Sequence, residues 1–256
     1  MKTRNRIFLL LLSLVLALTA LPVSADSACY NWYFKKNNDH QKPHLPSEFS
    51  FISDCGGLWC GKGEDKVIYL TFDAGYENGN IEKILNAMQK HNAKGAFFIL
   101  ENLVNRNTDL VVRMANEGHF VCNHTAKHPD MSKITDKDAF CKQLSDMENI
   151  YNEKTGLKLA AYYRPPQGKF SECNLRYANE MGYRTVFWSF AYADWDNNRQ
   201  MNPETAMKEI LEHTHPGMVI LLHPTSNTNA EIMDRLLMAW EEMGYRFGTL
   251  DELDGK

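Results

Sequence analysis

The sequence is poor in the features that mark non-globular chains. Proline numbers 9 and glycine 15 in 256 residues, which argues against collagen-like, coiled-coil and disordered classes. Positive charge is not in excess: 28 Lys plus Arg face 32 Asp plus Glu, a formal charge of −4. The basic surplus expected of a nucleic-acid-binding protein is therefore missing. Beyond the N-terminus no apolar run is long enough to span a bilayer. The loop Gly75-Tyr76-Glu77-Asn78-Gly79 lacks the dinucleotide glycine pattern, so a Rossmann cofactor domain is not expected. Gly56 to Lys62 has phosphate-loop spacing, but Gly63 stands where Ser or Thr belongs. No strand precedes it, and a strand rather than a helix follows. What remains is an ordinary globular composition, 44% hydrophobic and 23% charged, with enough chain for one large domain or two small ones.

The N-terminus reads as a targeting segment. Lys2, Arg4 and Arg6 precede an apolar run over 7–21, and Val23-Ser24-Ala25 offers small residues before Asp26. The pattern predicts a signal peptide over 1–25, cleaved after Ala25. An uncleaved anchor is the rival reading, but the run falls short of the ~20 residues a spanning helix needs. Asp26-Ser27-Ala28 before Cys29 lacks the aliphatic residue of a lipid-modified cysteine. The expected location is outside the cytoplasmic membrane, with no stable span after cleavage. Export permits disulfides among the 6 cysteines. Cys55 and Cys60 are a candidate pair, whereas Cys122 and Cys141 read as core thiols.

Residues 26–64 are irregular and are expected to form an N-terminal arm packed on the main domain, 65–256. From there strand and helix patterns alternate. Strands are expected at 67–72, 96–100, 120–123, 160–163, 185–190, 218–222 and 245–250. Helices are expected at 80–91, 108–117, 136–154, 171–181, 203–213 and 229–243. Asn202-Pro203 is a cap followed by proline at the first helical position. Such alternation predicts a parallel sheet covered by helices, as an open sheet or an incomplete barrel.

In parallel β/α architectures active sites lie where strands end. Here five strand ends carry polar groups: Asp73, His124 with His128, Arg164, Asp194-Trp195, and His223. Each alone has a bland explanation: a turn acid, a chance His pair, a surface turn, a loop cap, a strand-end histidine. Pro129 argues against a helix through both His124 and His128, leaving a tight turn to bring them together. Placement of all of these on one edge is what points to function. The groups suit metal-assisted hydrolysis of an amide or ester. Two neutral imidazoles can hold a divalent ion such as zinc, which acidifies bound water. Asp73 beside that water can take its proton, with Arg164 keeping the carboxylate ionised and aimed. His223 can protonate a leaving amine, and Asp194 favours its charged form.

Thr71-Phe72-Asp73-Ala74-Gly75, His124-x-x-x-His128, Arg164-Pro-Pro-Gln-Gly168, Asp194-Trp195 and Leu221-Leu222-His223 resemble, in order and spacing, the motifs of the polysaccharide deacetylases, carbohydrate esterase family 4. The likeness covers roughly 65–250. It implies the NodB homology fold, a distorted, incomplete (β/α)7 barrel, and metal-dependent removal of acetyl groups from sugars. Asn31-Trp32-Tyr33-Phe34-Lys35-Lys36, the 75–79 loop and Asn123-His124-Thr125-x-x-His128-Pro129 further resemble the muramic δ-lactam branch of spore formers. That branch deacetylates peptide-free muramic acid in peptidoglycan, and the freed amine closes a lactam in spore cortex.

By this resemblance Asp73 is the base, His124 and His128 are metal ligands, Arg164 positions Asp73, and His223 is the acid. Asp194 and Trp195 support the far side. Leu221 or Leu222 forms a wall for the acetyl methyl, and the backbone N–H of Gln167 is an oxyanion donor. Ala74 departs from the family pattern, which places a second, metal-binding Asp there. The implied site is weaker and more exchangeable, completed by water or by the substrate carboxylate. Two alternatives stay open: a deacetylase of N-acetylglucosamine in peptidoglycan or chitin-like oligosaccharides, and a non-catalytic glycan binder.

Overall fold

A computed structural model describes residues 28–36 and 39–256; the expected signal peptide lies outside them. The described strands are β1 (Tyr30–Asn31), β2 (Gly57–Leu58), β3 (Val67–Ala74), β4 (Gly95–Ile99), β5 (Phe120–Asn123), β6 (Ala160–Tyr163), β7 (Lys169–Phe170), β8 (Arg184–Val186), β9 (Phe190–Ala191), β10 (Met218–Leu222) and β11 (Arg246–Phe247). The helices are α1 (Ile81–Lys90), α2 (Glu101–Arg106), α3 (Thr108–Asn116), α4 (Lys137–Thr155), α5 (Glu172–Glu180), α6 (Pro203–Glu212), α7 (Asn227–Glu242) and α8 (Leu250–Asp254).

The main sheet runs β2-β8-β6-β5-β4-β3-β10-β9, all parallel. One stretch of chain links its two edges. Residues 184–185 pair with β6 and residues 185–186 with the edge strand β2, while residues 190–191, four positions beyond Val186, form the other edge and pair with β10. The expected strand at 185–190 is thus split in two, and it bridges a sheet that has curled round on itself. The result is the distorted, incomplete β/α barrel that the resemblance implied.

Strand parity sorts the side chains. Ile68, Leu70, Phe72 and Ala74 join the apolar layer under the helices. Val67 and Tyr69 face the other way, into the barrel with Ala96, Phe98, Cys122, Tyr162, Val186 and Val219. Extending the inward parity upward reaches Thr71 and Asp73 on β3, His124 after β5, Arg164 after β6, and Leu221 and His223 on and after β10. The upper layer of the barrel interior is therefore the polar one.

Several local expectations need correction. The last strand stops at Phe247, and Leu250 opens α8, capped by the Thr249 hydroxyl. Helix α2 follows β4 at once and has too few apolar positions to show a helical period. Cys55 and Cys60 are not bridged: Cys55 is buried, and the Cys60 thiol donates to the Gly217 carbonyl. Cys122 is fully buried.

Residues ahead of β3 hold closely to the barrel. β2 pairs with β8, β1 pairs antiparallel with β7, and Trp32 packs with Phe49, Phe170 and Phe187. The Trp32 backbone N–H donates to the Gly168 carbonyl and its indole N–H to the Trp188 carbonyl. Gly168 allows that approach: a Cβ there would lie 2.8 Å from the Trp188 ring and 3.2 Å from Trp32 Cβ.

Candidate active site

Asp73 and Arg164 form the dry side of the site. Arg164 is completely buried. Its Nη1 donates to Asp73 Oδ1 at 2.9 Å and its Nη2 to Thr71 Oγ1 at 2.8 Å. Its remaining N–H groups reach the carbonyls of Val186 and Phe187 at 3.0 and 3.2 Å. The guanidinium also lies 4.2 Å from the centre of the Phe98 ring. Burial works against an ionised Asp73, but His124 and the Arg164 charge outweigh it and hold the carboxyl below its ordinary value. His124 is itself neutral at pH 7, so the permanent Arg164 charge is the partner that acts there.

His124 and His128 lie beside this pair, with ring centres 5.0 Å apart. Both are positioned by a turn that Asn123 closes. Its Oδ1 accepts from the Thr125 N–H, and its Nδ2 donates to the Leu144 carbonyl and the Tyr183 hydroxyl. Thr125 and His128 both take left-handed backbone, φ 70° and 58°, and the His128 N–H bonds the Thr125 hydroxyl. This is the tight turn that Pro129 implied. His124 Nδ1 sits 2.8 Å from the Arg164 carbonyl. A carbonyl only accepts, so Nδ1 carries the proton and Nε2 presents its lone pair, 3.5 Å from Asp73 Oδ2. Burial holds His124 near 4 and also pushes His128 down.

His223 and Asp194 form the opposite side. His223 Nδ1 is 2.7 Å from Asp194 Oδ1, and the His223 backbone N–H donates to Oδ2 at 2.7 Å. Asn229 Nδ2, on the first turn of α7, donates to the same Oδ2 at 2.6 Å. Burial would lower His223, but the Asp194 charge and hydrogen bond, helped by Asp73, overturn it and raise the imidazole above its ordinary value.

Between the two sides lies a cavity of about 870 Å³, lined by Asp73, His128, Gln167, Trp195, Leu221 and His223. Gln167 has left-handed backbone, φ 60°, and Trp195 is 65% exposed. Asp194 and Arg164 stand behind the lining residues. Leu222 does not belong here: parity turns it outward into the helix-side layer, fully buried, so Leu221 alone of that pair faces the cavity. The motifs contain Thr71, Asn123, Phe34 and Lys36 but imply no role for them, and the sequence does not point to Asn229 or to the wall residues Trp188 and Tyr192. Thr71 was within reach, because it shares parity with Asp73.

A family model described as polysaccharide deacetylase matches residues 61–186. The peptidoglycan-N-acetylmuramic acid deacetylase PdaA of Bacillus subtilis (strain 168) is 38% identical over 224 residues, covering 87% of this chain and 85% of that protein. The chain belongs to the polysaccharide deacetylase family. A solved structure of B. subtilis PdaA, a family 4 carbohydrate esterase, superposes with a TM-score of 0.85 at 37% identity, covering 89% of this chain and 97% of that one. A peptidoglycan-N-acetylglucosamine deacetylase of Bacillus cereus is 31% identical over 209 residues, covering 80% of this chain and 74% of that protein. This polysaccharide deacetylase is accordingly a hydrolase that removes acetyl groups.

The family is generally metal-dependent. Among the described residues no three His, Cys, Asp or Glu side chains are gathered to hold an ion by themselves. The donors that fit one are the two imidazoles. Both are held neutral, and the His124 Nδ1–H is anchored on a backbone carbonyl, as metal-binding histidines require.

Proposed function

We propose that this deacetylase hydrolyses the N-acetyl amide of peptide-free muramic acid in peptidoglycan, outside the cytoplasmic membrane, and so enables muramic δ-lactam formation in spore cortex. The observation that carries the reaction is a pair of titratable groups tuned apart in one cavity, Asp73 downward and His223 upward. The muramic acid preference rests on the likeness to PdaA. Among the described residues no helix is long and apolar enough to cross a membrane.

Asp73, ionised at neutral pH, accepts a proton from the attacking water. Arg164 aims it and keeps it charged. The backbone N–H of Gln167 lies at the turn where developing negative charge on the amide oxygen would be received. Leu221 walls the acetyl methyl, and Trp195 flanks the sugar. His223, charged against Asp194, gives its Nε2 proton to the departing amine. His124 and His128 would hold the metal, zinc in this reading, which would supply Lewis acidity there. Ala74 offers no donor, so we assign a weak, exchangeable site completed by water or the substrate carboxylate.

The test is incubation with glycan strands whose muramic acids lack peptide, followed by mass spectrometry with and without chelator and added zinc. Acetate loss from muramic acid, abolished by chelator, is expected. Loss confined to glucosamine would replace the substrate; loss that survives chelation would remove the metal.

A further inference from the structure

The substrate proposed above carries a charge that, the metal apart, no catalytic side chain addresses. Stripping the peptide from muramic acid frees the carboxylate of its lactyl ether, which sits on the ring carbon next to the acetamide. A group that recognises it must therefore share the cavity with Asp73. Asp73 is already matched by Arg164 and Asp194 by His223. Among the lining residues the remaining side chain with a full positive charge is Lys36.

Lys36 reaches this wall because the chain before it is pinned. Trp32, four residues earlier, is anchored by two hydrogen bonds to Gly168 and Trp188, and Phe34 lines the same cavity. The ammonium lies 5.4 Å from the centre of the Phe190 ring and pairs with Glu209. Its side chain keeps 40% of its surface exposed. An ammonium has three donors, and Glu209 accepts through one oxygen, so Lys36 can bridge Glu209 and an incoming carboxylate.

We propose that Lys36 is the specificity residue that recognises the free lactyl carboxylate of peptide-stripped muramic acid. This rests on the muramic acid reading above. A substrate lacking the carboxylate, whether N-acetylglucosamine or muramic acid still bearing peptide, forgoes that bond. Glu209 holds the lysine in place and, as a like charge beside the incoming carboxylate, tempers the attraction.

The experiment compares kcat/KM on peptide-free muramoyl oligosaccharide with that on the same oligosaccharide whose carboxyl is capped as a methylamide. Wild type is expected to prefer the free acid by about tenfold, as for a charged hydrogen bond, and less in high salt. Lys36→Met should bring the ratio near one, mainly through KM, and Lys36→Arg should restore much of it. Glu209→Gln should raise it a few-fold, which tests the idea even if Lys36→Met folds poorly. A Lys36→Met enzyme that keeps the wild-type ratio overturns the assignment while the muramic acid reading stands. A wild type that ignores muramic acid and acts only on glucosamine overturns both.

Discussion

His119 and His124 stand at the two ends of one short strand, β5, and burial holds both near 4. They differ in which ring nitrogen is free. His119 Nδ1 accepts from the Gly95 N–H at 3.2 Å, so its proton sits on Nε2, which has no hydrogen-bond partner among the described residues; Glu117 Oε2 lies 3.7 Å away. His124 Nδ1 gives its proton to the Arg164 carbonyl, so its Nε2 offers a lone pair toward Asp73. Burial and a low proton affinity are common to both. The backbone group each ring meets decides the tautomer, and the tautomer decides which ring can serve a metal. The N-terminal end of the barrel is structural in this sense and the C-terminal end chemical.

The largest effect should come from Asp73→Asn at the chemical end. Turnover is expected to fall by ~10³-fold with the fold retained, although the melting temperature should drop because the buried Arg164 charge loses its carboxylate. An active Asp73→Asn enzyme would remove Asp73 as the base. Next, His124→Gln and His119→Gln should part company. The first should lose metal in a zinc titration and most of the activity; the second should keep metal and rate per folded molecule. Equal losses would erase the contrast between the ends.

Asp194→Asn should act on the pH profile. Wild-type activity needs Asp73 ionised and His223 protonated. It therefore rises with pH at the acid end and falls only above the ordinary histidine value of about 6.5. Without the Asp194 charge that alkaline limb should move to lower pH; a limb that stays put assigns it to another group.

The structural end should show in acid stability. An unfolded histidine takes a proton near 6.5, but the folded His119 only near 4. Unfolding therefore gains protons as pH falls through that window, and the folded state loses up to ~3 kcal/mol from this residue. His119→Leu should flatten the decline in melting temperature between pH 6.5 and 4, and an unaltered slope would contradict it. The smallest effect expected is at Ala74. Ala74→Asp should tighten zinc binding a few-fold if the new carboxylate turns to the imidazoles. Unchanged affinity would leave residue 74 in the helix-side layer, where Ala74 now lies.

The edge that carries the chemistry was readable because parallel strands deliver their last residues to one rim. Asp73, His124, Arg164 and His223 each follow an apolar run that names its strand. Asn229 was hidden because it reads as one more polar residue opening a helix; only the fold shows it holding Asp194. Lys36 and Phe34 stand in the 31–36 likeness without a role because they lie in irregular chain, where no period predicts which side chain faces a cavity. The split at 187–189 escaped notice since both halves are apolar and continuous. Leu222 was misplaced by treating Leu221-Leu222 as equivalent, when a strand must send the two to opposite faces.

The bridging stretch 184–191 ties the site to the integrity of the whole sheet. Arg164 spends two N–H contacts on the Val186 and Phe187 carbonyls, and the same fork aims Asp73. Opening the seam between β8 and β9 would release the guanidinium and, with it, the catalytic carboxylate, while most helices stayed packed. Activity is thus a sensor of the seam: under rising urea the enzyme should fall silent before its circular dichroism changes.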